Sequence, residues 1–155
     1  QTLNLGFLYR FQEAINVKRG DVYYAELDPV VGQEQGGLRP VLVVQNDIGN
    51  RYSMTTIVAP LTTRDKPKLP THAEVLVKGS NCVKGIVLME QVRAISSARL
   101  ISYCGALSAE DMEKADYALM VSLGLRGGRE DDYDKKQSSA NPVVYDGDDK
   151  TKGGK

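Results

Sequence analysis

Two residues in this chain have the type and setting for chemistry on a phosphate. Arg39 stands at the lip of an apolar run, RPVLVVQ, directly after a glycine-punctuated polar loop, GQEQGG. Thr62 ends a second apolar run, TTIVAPLTT, with Thr63 beside it. A guanidinium presents a planar fork of donors that fits phosphate oxygens and stays charged at any physiological pH. A threonine hydroxyl donates to a nonbridging or leaving oxygen. The pair suits a phosphodiester of RNA, where the attacking 2′-hydroxyl belongs to the substrate. The protein then has only to align that hydroxyl and stabilise the added charge. DNA, lacking the hydroxyl, is inert in this scheme. By themselves the two residues also read as a rim arginine and a strand-end threonine satisfying a backbone group.

Elimination narrows the chemistry. The sequence has no HExxH, Walker-type or GxGxxG pattern, no glycine-flanked serine of nucleophile-elbow type, and a single histidine, His72. A two-histidine acid/base pair is therefore impossible within one chain. A zinc site would have to recruit Cys82, Cys104 and His72 from distant places, so no metal and no organic cofactor is expected. Formal charge is zero over 155 residues, which excludes a bulk polycation and leaves nucleic-acid binding to a local patch. From Arg39 to Arg99 nine Lys/Arg face four Asp/Glu, whereas Glu110, Asp111, Glu113 and Asp116 cluster later. Two separated cysteines and no run of membrane-spanning length read as a cytoplasmic protein with reduced thiols, with one structural disulfide as the alternative.

The elements that must position Arg39 and Thr62 are short. Period and turn chemistry predict strands at Val22–Leu27, Val41–Gln45, Thr56–Leu61, Ala73–Val77 and Gly85–Met89, a continuation over Gln91–Ile95, and a strand at Ser102–Ala106. Between the second and third of these, NDIGNRYS reads as a polar turn, and Ser96–Leu100 as a single helical turn. Ser108 and Asp111 resemble a capping box for a helix from Ala109 to about Leu123, with Met112, Ala115, Leu119 and Leu123 as its apolar stripe and Gly124 its stop. Residues 1–16 read as an appendage that permits a short amphipathic helix rather than a secretory signal. From Arg126 seven acids balance seven bases with almost no core-forming residues, the composition of a disordered tail. The folded unit is thus residues 17–125, one α+β domain built as a small barrel or curled sheet with a C-terminal helix.

The segments VKRGDVYYAELDPVVGQEQGGLRPVLVVQNDIGN, TTIVAPLTT, LPTHAEV and VLMEQVRAI closely resemble the MazF/PemK endoribonuclease toxins of bacterial toxin–antitoxin systems, nearest to the Gram-positive branch. The resemblance runs in register from Val17 to about Leu123. It implies an SH3-like curled β-barrel with a helix, of the kind shared by CcdB and MazF, working as a homodimer whose groove spans both subunits. It also implies a sequence-specific, metal-independent endoribonuclease of single-stranded mRNA, leaving 2′,3′-cyclic phosphate and 5′-hydroxyl ends and arresting growth. The implied partners are that mRNA and a cognate antitoxin with an acidic segment disordered when free.

Carried over by position, Arg39 and Thr62 become the catalytic pair, with Arg39 taking part in acid/base chemistry and stabilising the transition state. Glu34 and Gln35 fall in the active-site loop together with Gln33, which departs from the serine many relatives carry there. Asn46, Asn50, Arg51, Tyr52 and Ser53 match the turn bordering the RNA groove, with Tyr52 placed to stack on a base, and Arg64 joins the RNA-binding set. Glu90, Gln91 and Arg93 read as bracing, and His72 as structural. Two alternatives remain: a CcdB-like, non-enzymatic inhibitor of topoisomerase, which would depend on the end of the C-terminal helix, and a catalytically inactive RNA-binding relative.

Overall fold

A computed structural model describes residues 16–79 and 83–127. The expectations for residues 1–15, for Cys82 and for residues 128–155 lie outside the described residues. Seven strands form one antiparallel sheet: β1 (Asp21–Glu26), β2 (Leu38–Val43), β3 (Thr55–Thr62), β4 (His72–Val77), β5 (Val83–Leu88), β6 (Arg93–Ser96) and β7 (Leu100–Ala106). Their order is β4-β5-β3-β2-β1-β7, with β6 paired to β3. Among the described residues two helices accompany them, α1 (Asp47–Tyr52) and α2 (Ala109–Ser122), with 3-10 turns at Met89–Gln91 and Ser97–Arg99.

The central strands are buried on both faces, which is why RPVLVV and IVAPL are continuous apolar runs rather than alternating ones. Leu42, Val44, Ala59 and Leu61 join the core beneath α2, while Val41, Val43 and Val58 join a second core with Tyr23, Leu27, Ile95 and Leu100. Along one edge β3 pairs β6 through Thr55–Val58 and β5 through Leu61 and Thr62. Pro60, without an N–H, falls in the gap between these ladders, where a missing donor breaks nothing. The sheet curls until its two edges meet: Lys78 and Ala106 exchange N–H···O bonds, each 2.9 Å. Gly105 makes that approach possible, because a Cβ there would run into the Lys78 carbonyl.

The structure corrects three expectations. NDIGNRYS is not an open turn: Asp47–Tyr52 is helical, with Asn46 Oδ1 accepting the Gly49 N–H at 2.7 Å as its N-cap. Arg19 anchors this helix from outside, since its backbone N–H donates to Asp47 Oδ1 at 2.7 Å and its guanidinium bonds Val44 O and Asp116 on α2. Only half of the capping box forms. Ser108 Oγ accepts the Asp111 N–H at 3.2 Å, but the Asp111 carboxylate turns instead to the Leu76 N–H and to Lys114 Nζ, both at 2.8 Å. The buried face of α2 is Asp111, Ala115, Ala118 and Val121, with Met112 and Leu119 of the expected stripe packed beside it and Leu123 exposed. The helix does stop at Gly124, whose positive φ (71°) allows the Leu125 N–H to reach Met120 O at 2.8 Å.

Cys104 is free and half-buried, and burial pushes its thiol pKa up, the condition of an unreactive cysteine. No helix among the described residues is long and apolar enough to cross a membrane.

Candidate active site

The polar loop between β1 and β2 is pinched at its base. The Leu27 N–H donates to Gly37 O at 3.1 Å, and the Gly37 N–H to Asp28 Oδ1 at 2.9 Å. Gly37 takes a positive φ (72°) that a side-chain-bearing residue rarely adopts, and Arg39 follows two residues later, inside β2. Arg93 Nη1 donates to Leu27 O at 3.2 Å and Arg99 Nη1 to Glu26 O at 3.1 Å, so two arginines hold the same base. The Arg39 guanidinium is itself held by the loop: Nε donates to Gly36 O at 2.7 Å and Nη1 to Gln35 Oε1.

The β2–β3 pairing brings the second residue in. Val41 faces Pro60, and the same register continued two residues outward sets Arg39 across from Thr62. Both line one cleft of about 380 Å³ with Tyr24, Gln35, Pro40, Leu61, Thr63, Arg64 and Lys66. Thr62 is buried, and its Oγ1 accepts the Arg64 N–H at 3.2 Å, which leaves its own proton to donate. The cleft thus carries three cations, Arg39, Arg64 and Lys66, and no carboxylate or histidine. Such a site attracts an anion. Larger hollows of about 700 Å³ lie beside the 66–70 loop and beside α1. In the first, two of the lysines have close partners: Lys68 sits 3.1 Å from Glu74 and Lys114 2.8 Å from Asp111.

The sequence-derived site residues divide between places. Arg39, Thr62, Gln35 and Arg64 meet in the cleft. Gln33 is exposed on the loop, and Glu34 Oε2 accepts the Val31 N–H of its own turn at 3.2 Å. Glu34 lines a separate hollow of about 360 Å³ with Glu90, Gln91 and Arg93. Asn46, Asn50, Arg51, Tyr52 and Ser53 belong to α1 and its caps, at the opposite end of β3 from Thr62. An eight-residue strand separates the two places by about 23 Å, so one chain does not bring α1 into the Arg39 cleft.

Within α1 the roles differ. Asn50 is engaged through both amide atoms, accepting from Gln45 Nε2 (3.1 Å) and Thr56 Oγ1 (2.8 Å) and donating to Gln45 O (3.0 Å). Ser53 Oγ lies 2.9 Å from Thr55 Oγ1. Tyr52 is 77% exposed with the Arg51 guanidinium 5.5 Å from its ring, an accessible stacking face.

Tyr24 and Lys66 also line the cleft, although nothing in the local pattern singled them out. Tyr24 was recoverable only from register, since it pairs with Pro40 next to Arg39. Behind the site, His72 is nearly buried, with Nδ1 3.0 Å from Pro67 O and Nε2 2.9 Å from Glu90 Oε1. Burial alone would raise the Glu90 pKa. Hydrogen bonds from His72, its own backbone and Thr71 outweigh this and hold it below the usual value. Among the described residues no three His, Cys, Asp or Glu side chains group closely enough to hold a metal ion.

The profile of the PemK-like, MazF-like toxins of type II toxin–antitoxin systems matches residues 18–123. The chain belongs to that family. Endoribonuclease EndoA of Bacillus subtilis (strain 168) is 54% identical over 111 residues, covering 70% of this chain and 96% of the relative. Among solved structures, MazF of Deinococcus radiodurans superposes with a TM-score of 0.60 at 27% identity, over 70% of this chain and 96% of that one. A mycobacterial endoribonuclease solved in complex with its cognate antitoxin gives 0.60 at 27% identity, over 72% and 99%. The curled antiparallel half-barrel with one C-terminal helix is therefore the fold of this MazF-family toxin.

Proposed function

We propose that this toxin cuts single-stranded mRNA at a specific sequence, without a metal ion, by attack of the 2′-hydroxyl on the adjacent phosphorus. The coarser statement, an endoribonuclease toxin of a type II toxin–antitoxin system, follows from the family and from the 54% identity to EndoA. The finer reading is carried by one observation: Arg39, Thr62 and Arg64 converge in a cleft with cations and no carboxylate. The 2′-oxygen forms a bond to phosphorus while the bond to the 5′-oxygen breaks. The departing oxygen keeps the electron pair and takes the Thr62 hydroxyl proton, while water takes the 2′ proton and returns one to Thr62, so that the side chain ends as it began. Arg39 remains protonated and stabilises the extra charge of the phosphorane. The products are a 2′,3′-cyclic phosphate and a 5′-hydroxyl.

The functional unit is residues 17–125, acting in the cytoplasm on mRNA and arresting growth. It works as a homodimer, a reading supported by Ile101 and Tyr103, 60% and 59% exposed on the outer strand β7. Its antitoxin lays an acidic segment over Arg39, Arg64 and Lys66 and so competes with RNA. Incubating the protein with a long RNA in EDTA tests the chemistry. Discrete cuts at a short repeated motif are expected, reduced at least about a hundredfold in Arg39→Ala. Intact RNA, or cleavage that needs added metal, overturns it.

A further inference from the structure

Gln91 lies outside the cleft, yet it bonds the residue that grips the cleft's arginine. Its Oε1 accepts the Gln35 backbone N–H at 3.3 Å, across 56 residues of sequence. Gln35 Oε1 in turn accepts from Arg39 Nη1, and Gly36 O from Nε at 2.7 Å. These bonds occupy the Nε–H and one N–H of Nη1. Among the described residues Nη2 donates to nothing in the protein, so its two N–H groups remain for a substrate.

The platform under Gln91 is rigid. The Met89–Gln91 turn carries the fully buried Met89, whose N–H donates to Thr71 O and whose carbonyl accepts from Ser122 Oγ on α2, each at 3.0 Å. Glu90 is fixed by His72 at 2.9 Å. The loop it faces contains Gly32, Gly36 and Gly37, and a glycine-rich segment loses much conformational freedom when ordered. Without a tie to the platform, the two acceptors on Arg39 would wander with the loop.

We propose that Gln91 is a positioning residue for the cleavage step: by fixing the Gln35 backbone it holds the carboxamide that orients Arg39, so that the Nη2 amino group meets the phosphorane. The inference rests on the catalytic reading of Arg39 given above. Gln91 itself lines the separate hollow with Glu34 and Glu90 and does not touch the reacting atoms.

The test compares Gln91→Ala, Gln91→Glu, Arg39→Ala and the Arg39→Ala/Gln91→Ala double variant in the full chain. The readouts are single-turnover cleavage of a labelled RNA containing a mapped site, and affinity for the same RNA with 2′-deoxyribose at the cut. Gln91→Ala should slow cleavage about tenfold, the size expected when one neutral hydrogen bond orienting a catalytic group is lost, with analogue affinity held within about twofold. Gln91→Glu keeps an oxygen at the same place and should stay within about threefold of the parent. In the Arg39→Ala background the added Gln91→Ala should change the residual rate by less than about twofold, because the two act as a unit.

Cleavage at or above the parental rate in Gln91→Ala would overturn the proposal, the latter outcome meaning that Gln35 shields Arg39 rather than aiming it. Equal losses in both backgrounds, or a parallel loss of analogue affinity, would also overturn it by showing a general structural role. If Gln91→Ala fails to fold by circular dichroism, Gln35→Ala in the exposed loop carries the same comparison. Full activity in Arg39→Ala would defeat the catalytic reading itself, whatever Gln91 does.

Discussion

Replacing Arg39 by lysine keeps the charge and removes the fork, so it isolates what guanidinium geometry contributes. Of the five N–H donors of an arginine, the protein engages one at Gly36 O and one at Gln35 Oε1. The remainder can meet two phosphate oxygens along one edge. An ammonium offers its donors from a single point, and here the Gly36 carbonyl and the Gln35 carboxamide would compete for them. Loss of a transition-state donor costs about 2.7–4 kcal/mol in comparable sites, and the retained charge recovers part of that. A net loss of about 2 kcal/mol, or roughly thirtyfold in the cleavage step, is expected. Ground-state affinity should move little, because Arg64 and Lys66 still face the phosphate. Single-turnover cleavage at saturating protein, alongside binding of a 2′-deoxy analogue, separates the two. A lysine variant within about twofold of the parental rate, or one whose whole defect is in binding, would refute the argument from geometry.

Thr62→Val keeps the β-branched shape but removes the hydroxyl, so the cleavage rate should fall about a hundredfold while the melting temperature barely moves; Thr62→Ser should recover most of the rate. A valine variant that cleaves normally would remove Thr62 as the proton donor. Stability should weaken in acid. Asp111 titrates below its usual value of 3.8, chiefly because Lys114 and the Leu76 N–H donate to it, and Glu90 titrates below 4.5. A carboxylate depressed in the folded state adds stability that is present above its unfolded value and lost as pH falls through the folded one. Asp21, raised by burial, acts in the opposite sense. The thermal midpoint should therefore drop from about pH 5 downward, and Asp111→Asn should flatten that slope while costing roughly 1–2 kcal/mol near neutrality. An unchanged slope in Asp111→Asn would show that this carboxylate is not the one being lost.

Much of the fold was legible because its signals are local. Apolar runs bounded by turn residues announced strands, and Gly124 announced the end of α2, since each depends on a few neighbouring residues. The types at Arg39 and Thr62, and their places at the ends of two runs, were likewise readable along the chain. Tertiary contacts decided the rest. In NDIGNRYS the local Asn46 cap is joined by a bond from the Arg19 N–H to Asp47, 28 residues away, which no short window contains. On α2 the apolar stripe holds at Met112, Ala115 and Leu119, which pack on the core, while Leu123 is exposed and Asp111 turns inward to bond the Leu76 N–H. The cleft required the β2–β3 register, and the bond from the Gln35 N–H to Gln91 spans 56 residues. Periodicity fixes which way a side chain faces within its own element. Only the pairing of elements fixes which side chain it meets.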